Sequence, residues 1–361
     1  MPRLILFVLA LGALPLALLA LLRSGRRPAR APTAMPAAAA APQEAPHAAD
    51  EPPSAGSAAP VEVGAGFHEL AFGAPLAPPS EQPVHRQVAA AVDLLLTGPV
   101  LKPEYAPRRP LLLPKLVQAV NDENVSRREL AVLIAQDPAL AGNLLRLANS
   151  AMYRVSAEPV ESIDRAVALL GTSGIRSLMA AALLQPVFRT AAGELKRFPE
   201  VTWEHTQYAA SAAEAYAAII ADEDPFAAQL LALLLGLGTI LTFRACMDEY
   251  AARSATADAA TLALLIEQHA ATVASRIAHD WELSSRMLTA LEEQSPYSRA
   301  ASRSGLGQAL GFGRYCGKVA VLRHAGRLDD DAALAAIRAG GYAGSSCERI
   351  WARLAKQAGA A

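Results

Sequence analysis

Residues 126–171, SRRELAVLIAQDPALAGNLLRLANSAMYRVSAEPVESIDRAVALLG, contain the densest set of helix signals in the chain. Ser126 and Glu129 have the spacing of a capping box, in which the hydroxyl and the carboxylate each accept a hydrogen bond from a free backbone N–H at a helix start. Asp137 and Pro138 read as an N-cap followed by proline at the first helical position, where the missing N–H costs nothing. Two helices are therefore predicted to begin here.

The second of these helices carries one apolar face and ends in a polar turn. Leucines at helical spacing form the face: Leu140, Leu144, Leu145 and Leu147. Asn149, Ser150 and Tyr153 follow, and we interpret them as residues that satisfy backbone groups and pack at the helix end. A surface for a binding partner is the alternative interpretation. Ser162 and Gly171 then fit the cap and the end of a third helix.

These motifs, in this order and spacing, resemble the HDOD domain, a helical signalling module related to the HD metal-dependent phosphohydrolases. The matching residues include Leu113-Pro114, Asp137-Pro138-Ala139-Leu140, the run 144–151, Tyr153 and Leu170-Gly171. Weaker agreement continues through Trp203-Glu204-His205 to about residue 300. The resemblance implies an all-α, multi-helix bundle. Its candidate interaction or motif residues are Asp137, Pro138, Asn149, Ser150, Tyr153 and His205.

The resemblance also indicates where an HD enzyme would hold its metal. Histidine and aspartate ligands together bind divalent cations that activate water. The family segment resembles Gly-Leu-Leu-His-Asp-Ile-Gly, whereas residues 232–238 here read ALLLGLG. Leu235 and Gly236 replace the pair, so His205 has no partners even if it occupies the first-ligand position. We therefore expect no metal, no cofactor and no catalytic residue; a residual metal-dependent phosphohydrolase acting on a nucleotide is the alternative.

Several other polar motifs have ordinary structural interpretations. The dipeptide His279-Asp280 lies in the wrong segment to replace the missing pair and fits a solvated helix end. His205 and His269 have apolar helical neighbours and are predicted to be hydrogen-bonded structural histidines. The glycine-rich residues 305–313 lack a preceding strand and a P-loop lysine, so a flexible connector is predicted. Three separated cysteines suit buried, unpaired thiols.

The N-terminal hundred residues do not have the composition of a domain. Residues 4–22 are uninterruptedly apolar, and a helix over them would be roughly 28 Å long, close to the thickness of a bilayer core. Four arginines follow between residues 23 and 30, and Arg3 is the single one before the segment. This bias predicts a single-pass inner-membrane anchor with the rest of the chain in the cytoplasm. A cleaved signal peptide, which would export the protein, is the alternative.

The remaining pattern gives the predicted domain organisation. The anchor and its basic flank occupy residues 1–30, and a disordered Ala/Pro-rich linker follows over residues 31–83. A connecting helix (84–107) leads into the HDOD-like domain (108–300). A helical extension (301–361) is predicted to pack on that domain. Within the linker, Phe67, Leu70 and Phe72 are candidates for docking on the folded part. The net charge of −1, without a basic stripe beyond the arginines, argues against nucleic-acid binding.

Together these features predict a bacterial, membrane-tethered HDOD module that binds signalling proteins and does not turn over a substrate. The tether would raise the effective concentration of the domain near membrane-associated partners. A membrane scaffold whose helical bundle mainly self-associates is a further alternative.

Overall fold

A computed structural model describes residues 59–107, 126–135, 138–149, 158–171, 174–175, 195 and 197–359. Throughout these ranges the protein is all-α, without strands, as predicted. The helices are α1 (Ala59–Phe72), α2 (Pro83–Thr97), α3 (Arg127–Ala135), α4 (Pro138–Ala148), α5 (163–171), α6 (Arg197–Tyr216), α7 (Pro225–Ala252), α8 (Ala259–Asp280), α9 (Ser285–Glu292), α10 (Gly305–His324), α11 (Asp330–Ala339) and α12 (Ser345–Gly359). The predicted anchor at residues 4–22 and the linker up to residue 58 lie outside the described residues.

The capping box at the start of α3 is confirmed. The backbone N–H of Ser126 donates to Glu129 Oε2 at 2.8 Å, and the N–H of Glu129 donates to Ser126 Oγ at 3.2 Å. These reciprocal bonds satisfy two donors that a helix start leaves free. Helix α4 begins at Pro138, as its sequence predicts, while the cap residue Asp137 lies outside the described residues.

The third predicted helix, α5, is confirmed at both ends. Ser162 Oγ accepts from the N–H of Arg165 at 3.2 Å, which places Ser162 at the N-cap. Gly171 has φ = +67°, the left-handed conformation in which glycine commonly ends a helix. Local sequence signals were sufficient here because each one acts within four residues.

Helix α1 corrects the prediction of a linker up to residue 83. Residues 59–72 are helical, and the candidate docking residues Phe67, Leu70 and Phe72 are buried. Phe72 stacks on Phe198 of α6 with ring centroids 5.0 Å apart. The two glycines in this helix lower its intrinsic propensity, so burial of its apolar face against the domain is what stabilises it.

The glycine-rich residues 305–313 also differ from their prediction. They form the first half of α10, a continuous helix packed along α6, and not a flexible connector. A Cβ on Gly313 would lie 2.4 Å from the backbone oxygen of Ala209, and one on Gly317 would lie 2.9 Å from that of His205. The glycines therefore serve close helix–helix approach, a tertiary effect that overrides their low propensity.

Helix α7 runs through the centre of the domain. Asp224 caps it, with Oδ1 accepting from the N–H of Phe226 at 2.9 Å, and Pro225 is its first residue. By length and composition this helix could cross a membrane, but 94% of its most apolar window is buried inside the fold. It packs against α6, α8 and α2 and brings the segment 232–238 to the middle of the helical core.

Candidate functional site

The site predicted from the HD pattern lies where four helices of the domain meet α1. His205 comes from α6, Leu235 and Thr239 from α7, Glu267 from α8, and Arg314 and Lys318 from α10; Phe67 and His68 of α1 complete the lining together with Gln294. The cavity has a volume of about 20 Å³, room for roughly one water molecule. Side chains thus fill most of the space in this position.

Leu235 and Gly236, the residues that the resemblance sets where an HD enzyme has its His-Asp pair, lie packed inside the fold. Leu235 is buried, with 6% of its surface exposed. Gly236 lies against α6, and a Cβ at this position would fall 2.2 Å from Thr206 Oγ1. Neither residue offers a ligand, and the backbone at Gly236 leaves no room for a carboxylate without a shift of Thr206.

An ion cluster occupies the space beside Leu235. Lys318 Nζ donates to Glu267 Oε1 at 2.7 Å, and Arg314 donates to the other carboxylate oxygen. Burial by itself would raise the pKa of Glu267, but the charges of Arg314 and Lys318 outweigh it and hold that pKa well below its usual range. Glu267 is therefore ionised and shared between two cations.

These groups do not fit a divalent metal. The site contains the cations of Arg314 and Lys318 and a single carboxylate, so a metal ion would be repelled rather than neutralised. Burial lowers the pKa of Lys318, and the Glu267 carboxylate beside it opposes that shift. Among the described residues, no three His, Cys, Asp or Glu side chains are grouped so that they could hold a metal ion. The cavity is lined by the imidazoles of His68 and His205 and by the Glu267 carboxylate, but these three donors are not grouped closely enough to hold an ion.

His205 is held as a neutral, hydrogen-bonded residue. Its Nε2–H donates to the backbone oxygen of Arg314 at 3.1 Å, and its ring lies 4.9 Å from that of Phe67. Burial lowers its pKa to about 3, and the nearby Lys318 charge acts in the same direction. The prediction of a structural histidine agrees with this geometry.

His68 of α1 is a second neutral imidazole at the site. It is 5% exposed, and its Nε2 lies 3.8 Å from Glu267 Oε1. Burial and, next, the charge of Lys318 lower its pKa to about 4. The helix that the sequence assigned to a linker therefore supplies part of the wall of this site.

Asn149 belongs to the polar turn predicted at the end of α4, and it makes hydrogen bonds away from the cavity. Its Nδ2 donates to the backbone oxygens of Leu145 and Val160, both at 2.9 Å, and its Oδ1 accepts from the N–H of Val160 at 2.7 Å. It ties the end of α4 to the segment before α5, as the structural interpretation predicted. Ser150 and Tyr153 lie outside the described residues, and Asn149 does not line the cavity around His205.

Most of the remaining candidate groups have the expected structural environments. Two differ: Cys347 is only partly buried, and His269 Nε2 lies 3.8 Å from Asp93 Oδ1, beyond hydrogen-bond distance. The side chains of His279 and Asp280 are 79% and 61% exposed at the end of α8. His269 is buried, and burial lowers its pKa. Cys246 and Cys316 are buried, and burial raises the pKa of Cys246 to about 12, so both behave as small apolar side chains.

Sequence reasoning missed the ion cluster. Arg314 and Lys318 are four residues apart, a spacing that places both on one face of α10. Their partner Glu267 precedes them by 47 and 51 residues, respectively. Only the i, i+4 spacing of the cations was readable, and it would not have identified the acid.

The HDOD domain profile matches residues 106–296, more than half of the chain. The chain belongs to the HDOD family. The ion cluster of this HDOD protein combines Glu267, which lies within the matched range, with α1 and α10, which lie on either side of that range.

Several solved structures are similar to the HDOD protein. A candidate metal-dependent phosphohydrolase from Shewanella amazonensis SB2B is 16% identical over 77% of this chain and 100% of its own, with a TM-score of 0.49. An HDOD domain protein of unknown function from Geobacter sulfurreducens is 20% identical over 75% and 94%, also with a TM-score of 0.49. None of the curated proteins matches the chain in sequence.

Proposed function

We propose that this HDOD protein is a non-catalytic signalling module that works by binding other proteins. The observation that carries the proposal is that Leu235 and Gly236, which stand where the resemblance would place the His-Asp pair, lie next to two cations that share one carboxylate. Metal-assisted hydrolysis needs a bound cation with an open position for water. A site that already contains the charges of Arg314 and Lys318 lacks the donors for that cation.

We further propose that the protein is tethered to the inner membrane by residues 4–22, with the HDOD domain in the cytoplasm. The apolar length of this segment and the arginines that follow it support the proposal. Helix α7 is a poor candidate for the anchor because it is buried in the domain core. Tethering would favour membrane-associated protein partners through their raised effective concentration.

The loss of hydrolysis is tested on the full chain purified in detergent. Metal content is measured by elemental analysis, and hydrolysis of bis(p-nitrophenyl) phosphate is followed with added Mn²⁺ or Mg²⁺. We expect no stoichiometric transition metal and no turnover above buffer. Stoichiometric metal together with turnover that His205→Gln abolishes, while the exposed-site variant His279→Gln keeps it, would overturn the proposal.

Partner binding and topology are tested together by crosslinking in the native membrane, followed by identification of the captured proteins. We expect cytoplasmic or inner-membrane partners, and we expect the protein itself to resist extraction from membranes at alkaline pH. Periplasmic partners would contradict the orientation. Recovery of the chain in soluble form without residues 4–22 would favour the signal peptide.

A further inference from the structure

The cavity beside Leu235 is lined by more positive than negative charge. Arg314 and Lys318 are the cations, Glu267 is the one ionised acid, and the two lining histidines have lowered pKa values. Only 12% of the Lys318 side chain is exposed. The Phe67 ring, 5.7 Å from Lys318 Nζ, compensates a small part of this charge. An excess cation in such surroundings is costly unless an anion accompanies it.

A second, independent feature of the same cavity is an acceptor without a donor. Gln294 is 4% exposed, and its Nε2 donates to the backbone oxygens of Ala290 and Gly307. Its Oε1 is buried, and none of the residues that the structure describes hydrogen-bonds to it. A buried unpaired acceptor in a polar cavity indicates that a donor from a ligand or from water completes it.

Helix α1 covers this cavity but does not seal it. Phe67 and His68 form one wall, yet Glu267 keeps 36% of its side chain exposed, which leaves an open edge. Gly64 and Gly66 weaken α1 as an isolated helix, so its helical state depends on docking. Elements of this kind open locally at lower free energy than the helices of a core.

We propose that Arg314 and Lys318 form a binding site for a phosphate group and that α1 is its displaceable cover. The guanidinium and the ammonium would bind the oxyanion with charge-assisted hydrogen bonds, and a protonated phosphate oxygen would donate to Gln294 Oε1. Sulfate carries no such proton at neutral pH, so the orphaned acceptor selects phosphate over sulfate. The proposal rests on the proposed absence of metal, because the two cations take over the charge that a metal would supply.

The test measures phosphate binding to the full chain in detergent by titration calorimetry, with EDTA present throughout. Phe67→Ala loosens the cover, and we expect it to tighten phosphate binding by about tenfold, since a larger fraction of molecules is then open. Lys318→Met in that background should abolish binding, whereas Lys356→Met, on the exposed face of α12, should leave it unchanged. Hydrogen exchange at the amides of residues 59–72 should become faster when phosphate is added.

Two further comparisons make the result decisive. Sulfate should bind at least about tenfold more weakly than phosphate, and Gln294→Leu should remove that preference. A titration with adenosine monophosphate, compared with the titration with inorganic phosphate, shows whether a phosphate ester or free phosphate supplies the bound group. If Phe67→Ala unfolds the protein, Gly66→Leu replaces it, because a Cβ at position 66 already lies 3.6 Å from Leu322 and a longer side chain pushes α1 away.

The proposal is overturned if Lys318→Met and its parent bind phosphate equally. It is also overturned if neither opened variant binds phosphate with a Kd below about 10 mM, or if phosphate and sulfate bind alike. Failure of the proposed function shows separately, as bound transition metal and turnover in the absence of EDTA.

Discussion

Gly236 lies directly against Thr206, so that a Cβ at position 236 would come 2.2 Å from Thr206 Oγ1 and 2.5 Å from its Cγ2. Thr206 is fixed in this place because its hydroxyl donates to the backbone oxygen of Thr202 at 2.6 Å. The contact means that position 236 has no room for a side chain unless Thr206 shifts.

Introducing a His-Asp pair with Leu235→His and Gly236→Asp should therefore not create a metal site. Overpacking against Thr206 and the burial of a carboxylate next to apolar residues should lower the free energy of unfolding by about 3 kcal/mol or more. Urea denaturation measures the loss, and elemental analysis measures bound metal. The control is Thr206→Ala in the same background, which removes the two closest atoms and should recover part of the stability. A stable variant with one bound metal per chain would contradict this prediction.

The hydrogen bonds of the Asn149 side chain should be important for the stability of the fold. Asn149→Ala removes three hydrogen bonds, one to Leu145 within α4 and two that join the end of α4 to Val160 before α5, and we expect a loss of about 2–3 kcal/mol in the free energy of unfolding. Gln308→Ala, which removes one exposed hydrogen bond to the backbone of Arg303, is the control and should cost less than about 0.5 kcal/mol. Equal losses of unfolding free energy in the two variants would show that the hydrogen bonds of Asn149 do not stabilise the fold. That result would favour a role of Asn149 in partner binding.

The neutral histidines should make stability depend on pH. The pKa of His205 falls to about 3 in the folded protein, so between pH 6.5 and this value the unfolded chain binds a proton that the folded chain does not. The stability is fully present above about pH 6.5 and decreases as the pH falls, by up to about 1.4 kcal/mol per pH unit for each such histidine. His68, with a pKa of about 4, acts in the same direction.

This dependence is measured by urea denaturation between pH 7.5 and 5. In His205→Phe the unfolded chain gains one proton fewer than it does in the parent protein. The slope of the unfolding free energy against pH should therefore be smaller by about 1.4 kcal/mol per pH unit. His279→Gln should keep the original slope because its side chain is 79% exposed. The range ends above pH 4.5 since Glu267, whose pKa is lowered, adds its own loss of stability only at more acidic pH. An unchanged slope in His205→Phe would refute the assignment.

The glycines of α10 should tolerate no side chain where they meet α6. Gly313→Ala places a methyl group 2.4 Å from the backbone oxygen of Ala209, and we expect a loss of about 2–3 kcal/mol as the two helices separate. Gly142→Ala, in α4, is the matched control because its added Cβ meets nothing within 4 Å. That control should gain about 0.5–1 kcal/mol from helix propensity. Thermal melting of both variants decides whether position 313 is a packing contact or a connector.

How much the sequence revealed depends on the range of the interaction involved. Ser126, Glu129, Ser162 and Gly171 were readable because a cap or a helix end is a contact between neighbours in the chain. The glycines of α10 were misread because their role lies in a contact with α6, about a hundred residues away. Helix α1 was misread for the same reason, since the residues that stabilise it belong to the domain on which it docks.

The sequence by itself determined the family and the all-α fold, because short-range helix signals and a fixed order of motifs encode both. The tertiary structure decided which charged groups lie beside Leu235 and Gly236. Glu267, Arg314 and Lys318 meet through the packing of α8 on α10, and α1 reaches them across the chain. Whether one charge is compensated by another depends on the distance between them in space, and a local pattern of residues in the sequence does not contain that distance.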